Sequence, residues 1–216
     1  MSATKSGFNK FIKTIGTFQS MKDELDEDYY SDLEEIVNNA MSDRTGKYLH
    51  NLHELGDKKP DEDTLQKIID IVPSSLSYEN EYGEIPISSA SQSKESVQYV
   101  PLLAKEEVQH KVGGDDARGG PLGDENVLIE LAYMDESSET ADPLYLNAMK
   151  KLRESKLLLR EDIQDHVLFF FACHSSSLMR FEFLAGWCPE GLKIYQYHGL
   201  PMIHAIIDVF AWRTAR

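Results

Sequence analysis

"EYGEIPISSA", residues 81–90, sets Pro86 three residues after Gly83 and at the head of an apolar run. "YHGLPMIHAI", residues 197–206, repeats the order glycine, apolar residue, proline, apolar residue, alanine. Proline is favoured in the first turn of a helix, where its missing N–H has no intrahelical partner and its fixed φ is already suitable. Gly83 permits the tight turn feeding that helix, and Ala90 leaves room for a neighbouring helix to come close. Pro201 and Ala205 keep the same spacing as Pro86 and Ala90, while Gly199 stands one residue nearer its proline. Both stretches are therefore expected to open a short helix.

Other segments repeat as well. "VLIELA" at 127–132 aligns with "VLFFFA" at 167–172, pairing Val127 with Val167, Leu128 with Leu168 and Ala132 with Ala172. Ala90, Ala132, Ala172 and Ala205 then occupy equivalent places, with "KYLHNLHEL" at 47–55 as an earlier member. A second series interleaves: "LQKIIDIVPSSL" at 65–76 lines up with "FEFLAGWCPEGL" at 181–192 on Pro73 and Pro189. Residues 97–106 and 143–159 also carry helical apolar spacing, so each unit is expected to hold two helices. Helices this short are marginal alone, whereas stacked pairs share one continuous core.

The unit 80–106 resembles an ankyrin repeat. Asn80, Gly83, Pro86, Ile87 and Ala90 match that family's turn and first-helix pattern, with Ile85 in place of its threonine and Ser88 in place of its histidine. His204 falls one place beyond the corresponding histidine and inherits no role. The resemblance implies an all-α fold, an α-solenoid of four or five stacked helix-turn-helix units over residues 44–216, preceded by a tail over 1–43. The last unit reads as cut off after "DVFAWRTAR". It also implies a non-enzymatic scaffold that binds another protein through its turn tips: Tyr78, Glu79, Asn80, Glu81 and Tyr82, then Gln196, Tyr197 and His198. Tyrosine suits such tips because it offers large contact area at low entropy cost.

The formal net charge of −15 over 216 residues repels phosphate, which argues against nucleic acid or anionic lipid as a partner and favours a neutral or basic protein. Two cysteines are too few for a disulfide framework, so a reducing compartment such as the cytoplasm is expected. The longest strongly apolar run, 167–173, falls well short of the ~20 residues that span a bilayer. Phe8, Phe11, Ile12, Ile15 and Phe18 recur at helical spacing among lysines. Residues 8–19 are accordingly the one candidate for peripheral membrane contact or a transit peptide, against a plain reading as a tail or a helix packed on the first unit. Residues 22–41 read as a solvated acidic helix.

An alternative from another class is a small metal-dependent or thiol hydrolase using Cys173, His174, Cys188 and His198. It lacks the paired, closely spaced ligands of zinc sites, and Cys173 lies in an apolar run where a small buried hydrophobe fits best. "VGGDDARGGPLG" at 112–123 has no Gly-Lys-Ser/Thr ending and places two aspartates where an anion would sit, so it reads as a loop. His50 and His53 read as surface residues. No catalytic residue, metal or cofactor is expected.

Overall fold

Asp61 and Ser177, 116 residues apart, begin the same structure twice. In a computed structural model of the chain, the residues described are 27–112, 125–134, 141–165, 167–175, 177–194, 196–197 and 200–201. Their regular elements are α- and 3-10 helices apart from an antiparallel pairing of β1 (Gln196–Tyr197) with β2 (Leu200–Pro201). The chain divides into two compact units, 1–41 and 42–216. Helix α1 is Glu27–His50, so the expected limit between residues 43 and 44 falls inside a helix. On α1, Ile36 is exposed while Met41 is buried. "KYLHNLHEL" is not a helix of its own: it is the end of α1 continued by a 3-10 turn, Asn51–Lys58.

Helix α2, Glu62–Ile71, starts where the Asp61 carboxylate accepts a 2.7 Å hydrogen bond from the Thr64 amide. Glu62 and Asp63 complement the positive end of the helix, and Leu65, Ile68 and Ile69 form its buried stripe. The helix ends at Val72, because the following Pro73 forbids helical geometry at the residue before it. Helix α9, Leu178–Trp187, repeats the cap, the length and the proline stop, though its first turn carries no acidic residue. Ser177 caps the Arg180 amide, and Cys188 before Pro189 has φ −131° and ψ 64°, against −135° and 70° at Val72. The amides of Ser75 and Gly191 then bond back to the carbonyls of Val72 and Cys188 in the same way.

A second correspondence, at 45 residues, joins α4 (Val100–Gln109) to α6 (Asp142–Glu154). Each ends in a left-handed lysine, Lys111 with φ 54° and Lys156 with φ 59°. Val112 and Leu157 then bond back to the carbonyls of Glu107 and Leu152, the Schellman closure of a helix. Helix α6 therefore stops at Glu154 rather than reaching residue 159, and Leu157 and Leu158 turn into the core. The correspondence sets Glu107 opposite Leu152, and both are buried. Burial pushes the Glu107 carboxyl well above the usual carboxylate range, and neither of its oxygens has a hydrogen-bond partner.

Between these lie α3 (Pro86–Ser91), α5 (Glu125–Tyr133), the short α7 (Arg160–Asp165), α8 (Leu168–His174) and α10 (Gly191–Ile194). Pro86 does open its helix, at the first position after Ile85. Pro201 does not: it belongs to β2, paired with Gln196, a place open to proline in a two-stranded edge. Gly199, Ala205, His198, His204, residues 8–19 and most of 112–123 lie outside the described residues.

Within residues 42–216, α3 packs on α5 and α5 on α8, while α2 packs on α4, α4 on α6 and α6 on α9. Cross-contacts join α3 to α4, α5 to α6 and α8 to α9. Ala90, Ala132 and Ala172 are all buried along the first series, as close helix approach requires. Arg180 of α9, 3 % exposed, ties the arrangement from within. Its Nε donates to Asp142 Oδ1 at 2.7 Å, Nη1 to the Leu131 carbonyl at 2.8 Å and Nη2 to the Met134 carbonyl at 2.9 Å.

Arg180→Ala should lower unfolding free energy by about 3 kcal/mol or more, read by urea denaturation, since it strands a carboxylate and two carbonyls. Glu107→Leu should raise stability. The native carboxyl keeps a proton that the unfolded chain releases above the ordinary carboxylate pKa, so wild-type stability falls as pH rises from there. The gain in melting temperature should accordingly be larger at about pH 8 than at about pH 4.

Candidate functional site

The turn between Asn80 and Glu84 is built by one side chain. Asn80 Oδ1 accepts from the amides of Tyr82 and Glu84 at 2.9 and 3.0 Å, and its Nδ2 donates to Glu84 Oε2 at 3.0 Å. On the backbone, the Asn80 amide bonds to the Glu84 carbonyl and the Gly83 amide to the Asn80 carbonyl, closing around Gly83 at φ 75°. Only glycine takes that conformation without strain. Gln92 donates to the other Glu84 oxygen at 2.9 Å, and these hydrogen bonds from Gln92 and Asn80 hold the Glu84 carboxyl below the usual carboxylate range. The result is a braced tip from which Tyr82 projects, 79 % exposed, with Glu79 and Glu81 also in solvent.

Tyr78 has a different part. Its ring lies where a Cβ on Gly46 would stand only 2.3 Å away, and its hydroxyl donates to Asp43 Oδ1 at 2.8 Å. His50 Nε2 meets the Tyr78 carbonyl at 2.9 Å; a carbonyl only accepts, so that nitrogen carries a proton, while Nδ1 lies 2.7 Å from Ser89 Oγ. His50 is thus buried and structural, a correction to its reading as a surface residue. Gln196 and Tyr197 recur 116 residues after Asn80 and Glu81, again at a chain reversal, here the β1–β2 pairing. The exposed tip residues described are therefore Glu79, Glu81 and Tyr82, with Asn80 as their brace and Tyr78 as their anchor.

The residues of the hydrolase alternative are dispersed in environment. Cys173 and Cys188 belong to the hydrophobic core, whereas His174 is exposed and its ring meets those of Tyr133 and Phe170. Burial pushes the Cys173 thiol up to about 12, opposite to the lowering that activates a nucleophile. Gln164 Nε2 donates to Cys188 Sγ at 3.4 Å.

One cluster went unnoticed in the sequence. Asp70, Glu106 and His110 each present a ligand atom within 4.8 Å of the others, the single such group of three among the described residues. Glu106 and His110 are four apart on α4 and its cap, a spacing visible in "VPLLAKEEVQH" but common on charged helices; Asp70 joins them only through the packing of α2 on α4. An open cleft of about 300 Å³ lies on the outer side of α2, α4 and α6, crossed by a 2.7 Å ion pair between Lys151 and Glu62. No helix among the described residues is long and apolar enough to cross a membrane. No protein-family model, curated protein or solved structure matches the chain.

In native protein at about pH 8, Cys173 should resist a thiol reagent and react only after denaturation. Stoichiometric labelling of folded protein at Cys173, mapped by peptide mass, would contradict its placement in the core.

Proposed function

We propose that residues 42–216 are a solenoid of divergent ankyrin-like helix pairs whose turn tips bind another protein, without catalysis. The reading is supported by the two interleaved packing series, α3–α5–α8 and α2–α4–α6–α9, and by the repeated caps at separations of 116 and 45 residues. A unit whose caps and closures recur while its apolar residues vary is what a stack of degenerate copies requires. The observation carrying the functional step is Tyr82, a large exposed aromatic on a turn immobilised by Asn80 and Glu84. Bracing the tip beforehand reduces the ordering entropy that binding would otherwise cost. Glu79 and Glu81 beside it, on a chain of net charge −15, suit a basic patch on the partner.

Wild-type protein, Tyr82→Ala and Tyr197→Ala would be immobilised in parallel and exposed to extract of the native cell. The expected outcome is a defined protein retained by wild type, eluted by salt and lost with Tyr82→Ala, while circular dichroism and melting temperature of that variant stay unchanged. Retention of the same proteins by all three baits would refute the assignment of the tip.

A further inference from the structure

We infer that Asp70, Glu106 and His110 form a binding site for one Zn²⁺ ion that joins the C-terminal ends of α2 and α4. The argument begins with Glu106. Its side chain is 0 % exposed, yet neither carboxylate oxygen has a hydrogen-bond partner. The nearest cationic groups, Lys105 Nζ and His110 Nε2, each stand 3.7 Å away, beyond hydrogen-bonding reach. His110 Nε2 is buried without a hydrogen-bond partner as well. A buried carboxylate is costly unless a cation meets it closely; Lys105 does so only at 3.7 Å and from solvent, and the matching places on α6 hold Lys151 and Ser155 in place of Glu106 and His110.

Geometry supplies the rest. Asp70 is in the last turn of α2, and Glu106 and His110 are in the last turn and cap of α4, so the negative ends of two helix dipoles converge on the cluster. A cation is favoured there. The 3.7 Å separation of Glu106 Oε2 from His110 Nε2 is close to the spacing of two ligands on a metal with bonds of about 2.0–2.2 Å. Asp70 is exposed, and the 3.3 Å hydrogen bond it accepts from Gln66 is long enough to yield as its carboxylate turns inward. One imidazole with two carboxylates selects zinc over calcium, which takes six to eight oxygens, or magnesium, which keeps most of its waters. Three protein ligands leave a fourth position for water. Lys105, largely in solvent, is displaced outward when the ion enters.

The test uses the full chain, stripped with chelator and titrated with ZnCl₂ by calorimetry, then with CoCl₂ followed by visible absorption. Wild type should bind about one equivalent of zinc and gain melting temperature on binding. Asp70→Asn and His110→Gln should weaken binding by at least about tenfold. Both residues have access to solvent, so these variants are expected to fold. Glu106→Gln should lose binding while raising the melting temperature of metal-free protein, an opposition that a purely structural role would not produce. His53→Gln should bind as wild type does. No saturable binding by wild type, undiminished binding by His110→Gln, or Co²⁺ spectra with strong thiolate charge-transfer bands would overturn the assignment, the last by placing the ion on Cys173 or Cys188.

Discussion

The guanidinium of Arg180 lies where three helices meet and offsets its own desolvation by joining them. It donates to the carbonyls of Leu131 and Met134 at the end of α5, and to the carboxylate of Asp142 at the start of α6. The positive group thus faces the negative end of one helix dipole, and the carboxylate faces the positive end of the next. Ser177 Oγ also donates to Asp142, and the Tyr145 ring lies 5.3 Å from the guanidinium carbon. Helices α5 and α6 are in this way positioned by α9. Smaller ties act alongside: the Tyr99 hydroxyl donates to the Pro60 carbonyl at 2.6 Å, and Arg160 closes the end of α9 through the Trp187 carbonyl.

The internal correspondences make departures between copies informative. Helices α2 and α9 share cap, length and proline stop, and α4 and α6 share a left-handed lysine and a Schellman closure. Against that agreement, Glu107 stands where its counterpart is the buried Leu152, and Glu106 and His110 replace Lys151 and Ser155. Helix packing needs none of these three polar residues. They mark the part of α4 where local choice departs from what packing favours, the pattern expected where a fold carries an additional task.

Tyr78 and Tyr82 show how little the neighbourhood in sequence decides. The pair brackets one acidic segment, yet Tyr78 enters the space left by Gly46 while Tyr82 points to solvent. Composition treats them alike. The missing Cβ at residue 46, 32 positions away, separates an anchor from a contact residue.

Much of the architecture could be read from residues alone. Pro86 after Gly83 announced a turn and a helix start; the apolar spacing over 97–106 announced a helix; and the alignment of 65–76 with 181–192 on Pro73 and Pro189 announced a recurring helical segment. All three depend on φ restriction and periodicity, which act within a few residues and are written in order along the chain. Tertiary structure decided what distance in sequence conceals. The β1 to β2 pairing took Pro201 away from the helix expected of it, and Asp70 reached Glu106 and His110 only across two packed helices. Burial, unlike a dihedral preference, is a property of every neighbour at once, and no local pattern states which carboxylate will be left in the interior.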